Sequence, residues 1–210
     1  IGYDAKVTAS NQIMLGTVTE EVVCPNDLDV KGTLKLDGTA MSLDGLSDVI
    51  AGGAEFTNSL LIGHNNTGTL SAATSNVGVG SGVFNALTSG DGSTAVGYMS
   101  LFKNTSGEHN MATGYKSLTE NTTGYQNIAT GSFSLQNNDD GNENTATGAY
   151  SLTNNVSGSF NTATGLASLQ NTTANSNTAF GYQAGTVNTT GNNNTYIGKG
   201  ANAGSGETGL

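Results

Sequence analysis

GYKSLTENTTGYQNIAT (114–130), GSFSLQNNDDGNENTAT (131–147) and GAYSLTNNVSGSFNTAT (148–164) follow one another without a gap, and all three are 17 residues long. The frame extends backward to GYMSLFKNTSGEHNMAT at Gly97, GSGVFNALTSGDGSTAV at Gly80 and a degenerate unit at Gly63. Forward it reaches a unit at Gly165, one residue short, and another at Gly181. Residues 63–197 are therefore about eight copies of one unit. A fixed short period means that each unit is a single supersecondary element, stable only when stacked on its neighbours.

From its first glycine the unit reads G-x-x-S-L-x-x-N-x-x-G-x-x-N-T-A-T, with two short strand-like runs separated by polar segments. The NTAT run alternates, as in Thr145-Ala146-Thr147, and period two suits a strand whose side chains face opposite ways. The S-L pair gives one large apolar anchor per unit: Leu101, Leu118, Leu135, Leu152 and Leu169. Asn and Gly at the corners accept left-handed backbone, so the chain can turn there in every unit. Two helices do not fit in so short a unit, and its Gly, Asn and Thr oppose helix formation. The expected fold is all-β: a parallel β-solenoid or β-roll built from strand–turn–strand–turn coils.

Stacked coils place like on like. Asn110, Asn127, Asn144, Asn161, Asn177 and Asn194 share one repeat position; they form a structural ladder of amides bonded from coil to coil, or serve as turn formers. One Leu and one Ala per coil, with a variable residue after the glycine (Tyr98, Tyr115, Leu166, Tyr182), make a thin core. Several chains sharing that core in a fibrous assembly are expected.

Residues 1–62 lie outside the frame. AKVTAS, QIMLGTVTEEVVC and DVKGTLKLDGTAMSL alternate apolar and polar residues, with turn signals at Pro25-Asn26-Asp27 and Asp37-Gly38. They predict an N-terminal β shaft or attachment region, with a helical turn or junction at Ser42 to Val49. Residues 198–210 lose the regularity and read as an end that continues in a further segment; the start at Ile1 suggests a processed fragment.

Composition narrows the function classes. Charged residues are 10% of the chain and glycine is 31 of 210, unlike an ordinary globular enzyme domain. A net charge of −10 without any arginine argues against nucleic acid as a partner. The single Cys24 allows no intrachain disulfide and no Cys-based zinc site. Apolar runs such as Leu60 to Ile62 are too short for membrane insertion as a helix. Gly78 to Gly82 (GVGSG) lacks the lysine of a phosphate loop, and no cofactor is expected.

Asp139, Asp140 and Glu143 cluster in one unit. Such carboxylates suit a polysaccharide depolymerase or a Ca²⁺ site, but the plainer reading is an acidic variable turn. His64 and His109 show no triad or metal spacing. No catalytic residue and no metal ligand is assigned. Tyr125, Phe133, Tyr150 and Phe160 stand at variable positions where an aromatic ring can pack on a sugar, and they are the binding candidates. A regular threonine array could also match an ice lattice, but Met111, Ile128, Phe180 and Tyr196 break it.

NTATGAYSLTNNVSGSFNTATG (144–165) and NTAFGYQAGTVNTTGNNNTYIG (177–198) resemble the NTAxGYxAL-type repeats of bacteriophage tail fibres, many of which end in an intramolecular chaperone domain. SLDGLSDV at Ser42 resembles a phrase found just upstream of repeats in phage fibre proteins. The head repeats of trimeric autotransporter adhesins are more distantly similar. The resemblance implies a homotrimer located in the virion as part of a tail fibre. It also implies contacts of the N-terminal region with other tail or baseplate proteins, and binding to host cell-surface glycan or protein through the summed avidity of several chains. Alternatives are a bacterial surface adhesin or extracellular filament subunit, and a polysaccharide-degrading tailspike acting through Asp139 or Asp140.

Overall fold

The structure is a computed structural model that describes residues 35–36, 39–40, 49–51, 60–62 and 73–202. The chain divides into two units, 1–41 and 42–210. In the first, β1 (Lys35–Leu36) pairs antiparallel with β2 (Thr39–Ala40). Apart from β1, β2 and the strands named next, the expected shaft over 1–62 lies outside the described residues, as do Cys24, the segment 42–48, His64 and residues 203–210.

The second unit holds ten strands of three residues: β3 (Val49–Ala51), β4 (Leu60–Ile62), β5 (Val77–Val79), β6 (Thr94–Val96), β7 (Met111–Thr113), β8 (Ile128–Thr130), β9 (Thr145–Thr147), β10 (Thr162–Thr164), β11 (Thr178–Phe180) and β12 (Thr195–Ile197). They form one sheet in chain order. β3 and β4 are antiparallel, and every later pair is parallel and residue for residue, Ala129 beside Ala146 and Ala146 beside Ala163. A parallel neighbour reached by one repeat of chain is one turn of a coil, and the result is a β-solenoid of about eight turns.

Each strand is short because glycine stops it. Gly131 has φ +133°, and a Cβ there would lie 2.6 Å from the carbonyl carbon of Gly148 in the next coil. Only glycine permits both that backbone and that approach. Glycine at this position therefore repeats through the stack, at Gly114, Gly148, Gly165 and Gly181 among others.

The S-L run is a turn rather than the second strand that its composition suggests. Ser134 and Leu135 are adjacent, yet both are fully buried, which a strand with alternating side chains cannot achieve. Left-handed residues supply the solution: Phe133 has φ 61° and Leu135 φ 48°, and the same pair of positions is left-handed at Lys116 and Leu118 and at Tyr150 and Leu152. Such a backbone costs a non-glycine residue about 1–2 kcal/mol. Hydrogen bonds between coils hold it in place. Phe133 N–H donates back to the Tyr115 carbonyl at 2.9 Å, while Leu135 N–H donates forward to the Ser151 carbonyl at 3.0 Å.

The core is a column of leucines (Leu101 to Leu169) beside a column of alanines (Ala95 to Ala179), all at most 1% exposed. That column is covered within one chain, so the sharing of a core between chains that its thinness suggests is not needed to bury it. At its two ends the pattern changes together with volume. Val83 and Phe84 replace Ser and Leu where Gly78 replaces Ala, and a Cβ on Gly78 would lie 2.8 Å from Val83. At the other end Tyr196 takes the Ala place and Gly185 the Leu place; a Cβ on Gly185 would lie 2.7 Å from the Tyr196 ring. Large-for-small exchange keeps the packed volume constant while an aromatic ring covers each end of the column.

Candidate functional site

The corners of the coil are built from side-chain amides. Asn127, Asn144, Asn161, Asn177 and Asn194 each donate a backbone N–H to the Oδ1 of the asparagine one coil before, Asn110 to Asn177, at 2.9–3.1 Å. The same side chains reach forward: Asn110 Nδ2 donates to the Gly124 carbonyl at 2.7 Å and Asn127 Nδ2 to the Gly141 carbonyl at 2.8 Å. One fully buried amide thus serves two coils, which is how an interior so poor in apolar groups keeps its polar atoms satisfied.

Asn104, Asn121, Asn138 and Asn155 form a second column that the sequence reading overlooks, although its asparagine is written in the repeat consensus. Asn121 Nδ2 donates to Asn104 Oδ1 and Asn138 Nδ2 to Asn121 Oδ1, both at 2.8 Å, and Asn155 Nδ2 donates to Asn138 Oδ1 at 3.0 Å. Each also closes its own corner, as Asn121 does on the Gly124 carbonyl at 2.9 Å. The column stops at Asn155, whose buried Oδ1 receives no hydrogen bond, because the next coil carries Thr172 there. These columns are structural: fully buried, they reach no ligand.

The acidic cluster lies on the surface of the coil. Asp139 accepts a hydrogen bond from Thr122 Oγ1, and Asp139, Asp140 and Glu143 are exposed. Asp139 edges an open groove of about 400 Å³ lined also by Lys103, Glu120, Thr122 and Asn137. There Lys103 pairs with Glu120, whose hydrogen bond and charge hold the ammonium above its ordinary pKa; both groups are exposed to water, so the pair is weak. Among the described residues no three His, Cys, Asp or Glu side chains come together as a metal site would require.

The four aromatic binding candidates separate into two places. Phe133 and Tyr150 stack at 4.9 Å and continue a row in which Tyr115 meets Phe133 edge-on at 5.2 Å and Tyr98 stacks on Tyr115 at 5.3 Å. The row thus runs from coil to coil through two stacked contacts and one edge-on contact, and Tyr98, Tyr115 and Tyr150 in it are exposed. Tyr125 and Phe160 stand at another corner, just before the ladder residues Asn127 and Asn161, with 44% and 57% of their surface exposed.

The outer face of the sheet is the most distinctive surface. Each strand turns its first and third side chains outward; beyond the glycine the next residue is also turned outward. In successive coils these are Val77, Val79 and Ser81; Met111, Thr113 and Tyr115; Thr162, Thr164 and Leu166; and Thr178, Phe180 and Tyr182. From Val77 to Ile197 none of these positions carries a charge. Among the described residues, 12 of the 17 exposed large hydrophobic side chains lie on this stripe, including Ile128, Phe180 and Ile197. The charged side chains Asp91, Lys103, Glu108, Lys116, Glu120, Asp139, Asp140 and Glu143 lie at other repeat positions, Lys116 beside the stripe with its ammonium 5.6 Å from the Tyr115 ring, and Lys199 follows the last strand at the repeat position of Tyr182. Comparison of the chain with protein-family models, with curated proteins and with solved structures finds no significant match.

Proposed function

We propose that the chain is a rod-forming section of an adhesive fibre, a homotrimeric part of a bacteriophage tail fibre that holds or forms a host-binding surface. The observation that carries this reading is the stack itself. Its columns of Leu, Ala, Asn and Gly hold coil to coil. Such an architecture produces length: at about 4.8 Å per coil, eight coils span about 40 Å. The resemblance of the repeats to tail-fibre repeats supports the virion as its location. Contact with host glycan or protein then falls to exposed groups such as Tyr125 and Phe160, each weak alone and summed over chains and fibres.

Immunogold labelling with antibody against the purified chain tests the location. Gold on virus tails is the expected result. Gold on cell envelopes instead would replace the tail fibre with a surface adhesin or filament subunit. Adhesion is tested by binding of fluorescent chain to host cells: saturable binding that falls on Tyr125→Ala with Phe160→Ala is expected, and binding unchanged by that pair would remove them from the contact surface.

A further inference from the structure

The charge-free stripe calls for a partner, and its chemistry selects one. It runs over nine parallel-register strands, β4 to β12, which at about 4.8 Å per strand is about 40 Å long. Three alternate positions make it about 13–15 Å wide. The resulting area is about 600 Å², and from Val77 to Ile197 its positions are divided between apolar side chains and the short hydroxyl side chains of Thr and Ser. A chain that buries its whole stripe against its neighbours removes about 600 Å² from water, so three chains together bury about 1,800 Å².

Charge distribution says which protein fits. The chain carries a net charge of −10, and repulsion between copies opposes any contact that brings their charged positions together. From Val77 to Ile197 the stripe positions carry no charge of either sign, so a second copy can approach along the strands with Lys116 and Lys199, whose ammonium groups lie 5.6 and 5.9 Å from the Tyr115 and Tyr182 rings, left at the border of the contact. The spacing fits as well. Ranks such as Met111, Ile128, Thr145 and Thr162 repeat at the coil spacing, and so do Thr113, Thr130, Thr147 and Thr164. A copy running in the same direction presents the same ranks at the same spacing, and side chains interleave coil by coil without a mismatch that grows along the rod.

We infer that this stripe, formed by the outward residues of β4 to β12 and edged by Tyr98, Tyr115, Leu166 and Tyr182, is the contact surface between parallel copies of this chain. The inference rests on the reading of the chain as a trimeric fibre and names the face that closes the trimer. Each chain then meets its neighbours through outer side chains while keeping its own Leu–Ala column intact.

The test is the mass in solution, by light scattering, of the wild-type chain, of an Ile128→Lys, Phe180→Lys variant, and of a Val156→Lys control that places a charge on an exposed residue outside the stripe. Wild type and control at about three times 21.1 kDa, with the stripe variant at a single chain mass and β-rich by circular dichroism, is the expected result. A stripe variant that remains oligomeric overturns the assigned face while leaving the trimeric fibre standing. A monomeric wild type overturns the assignment and the trimer together; adhesion is then judged by the cell-binding assay alone. A series of ever larger species, equal in wild type and stripe variant, would mean end-to-end pairing of strand edges and would also overturn it. Should the double variant lose its β signal, Thr147→Lys alone supplies the same comparison from a residue already exposed.

Discussion

The coil at 148–164 and the coil at 165–180 differ by one deleted residue, and they show which features of the stack depend on chain and which on side chain. Both supply a strand of three residues in the same parallel register, a buried leucine, Leu152 or Leu169, and a buried alanine, Ala163 or Ala179. The deletion falls between Thr173 and Ala174, so that Ala174 stands where Gly158 stands one coil earlier, and Asn161 Nδ2 reaches its carbonyl at 2.8 Å. What is lost is the second amide column. Thr172 replaces the asparagine there, and Asn155 Oδ1 is left buried without a donor. Backbone pairing between coils tolerates the change because any residue carries an N–H and a C=O. The amide column does not, because only a side chain with both donor and acceptor at that length extends it.

The largest expected effect breaks the regular coils at their closest approach. Gly131→Ala should destabilise the stack by about 3 kcal/mol or prevent folding, since strained backbone and a clash with the next coil add. Gly198→Ala, in the same column but with nothing within 4 Å of its would-be Cβ, should lose only the backbone term, about 1 kcal/mol. Urea unfolding followed by circular dichroism measures both, and equal losses would show that backbone strain alone sets the glycine requirement.

Next is the turn. Leu135→Ile keeps the buried volume but places a β-branched side chain at φ 48°, and a loss of about 2 kcal/mol is expected. A neutral result in the same unfolding experiment would restore the strand reading of the S-L run, because strands favour isoleucine.

The amide column gives the sharpest contrast between the two coils. Asn121→Ala strands partners on both sides and should cost about 2 kcal/mol; Asn155→Ala, which strands Asn138 Oδ1 and the Gly158 carbonyl but nothing in the following coil, should cost about 1 kcal/mol. Thr172→Asn with a serine inserted after Thr173 should extend the column and raise stability by about 1 kcal/mol. Thermal melting of the four proteins, wild type included, would refute the column as a stabilising element if their order were not the one stated.

Smallest is the Lys103–Glu120 pair on the exposed groove. Its hydrogen bond raises the folded-state pKa of Lys103, so its contribution is complete below the ordinary lysine value and disappears as pH rises through the raised one. Lys103→Gln should therefore leave the melting midpoint nearly unchanged at neutral pH, and any remaining difference from wild type should vanish in strong alkali. A difference that grew with alkalinity would reverse the sign assigned to the pair.

Sequence by itself determined the period, the number of coils and the strand in each. Stacking identical units fixes what lies beside what, so one strand-like run per unit becomes a parallel ladder and Asn144 must lie over Asn127. Direction within a turn is a different matter. Leu135 is left-handed because its N–H bonds forward while that of Phe133 bonds back, a choice made by neighbouring coils and invisible in residues that have no preference for that backbone. Only the tertiary structure decided that Ser134 and Leu135 both point inward, that the second asparagine column reaches from coil to coil, and that the core closes within one chain. The charge-free stripe was legible in principle from the absence of Lys, Asp and Glu at its repeat positions between Val77 and Ile197. It acquired meaning only when the coil turned those positions to one outer face.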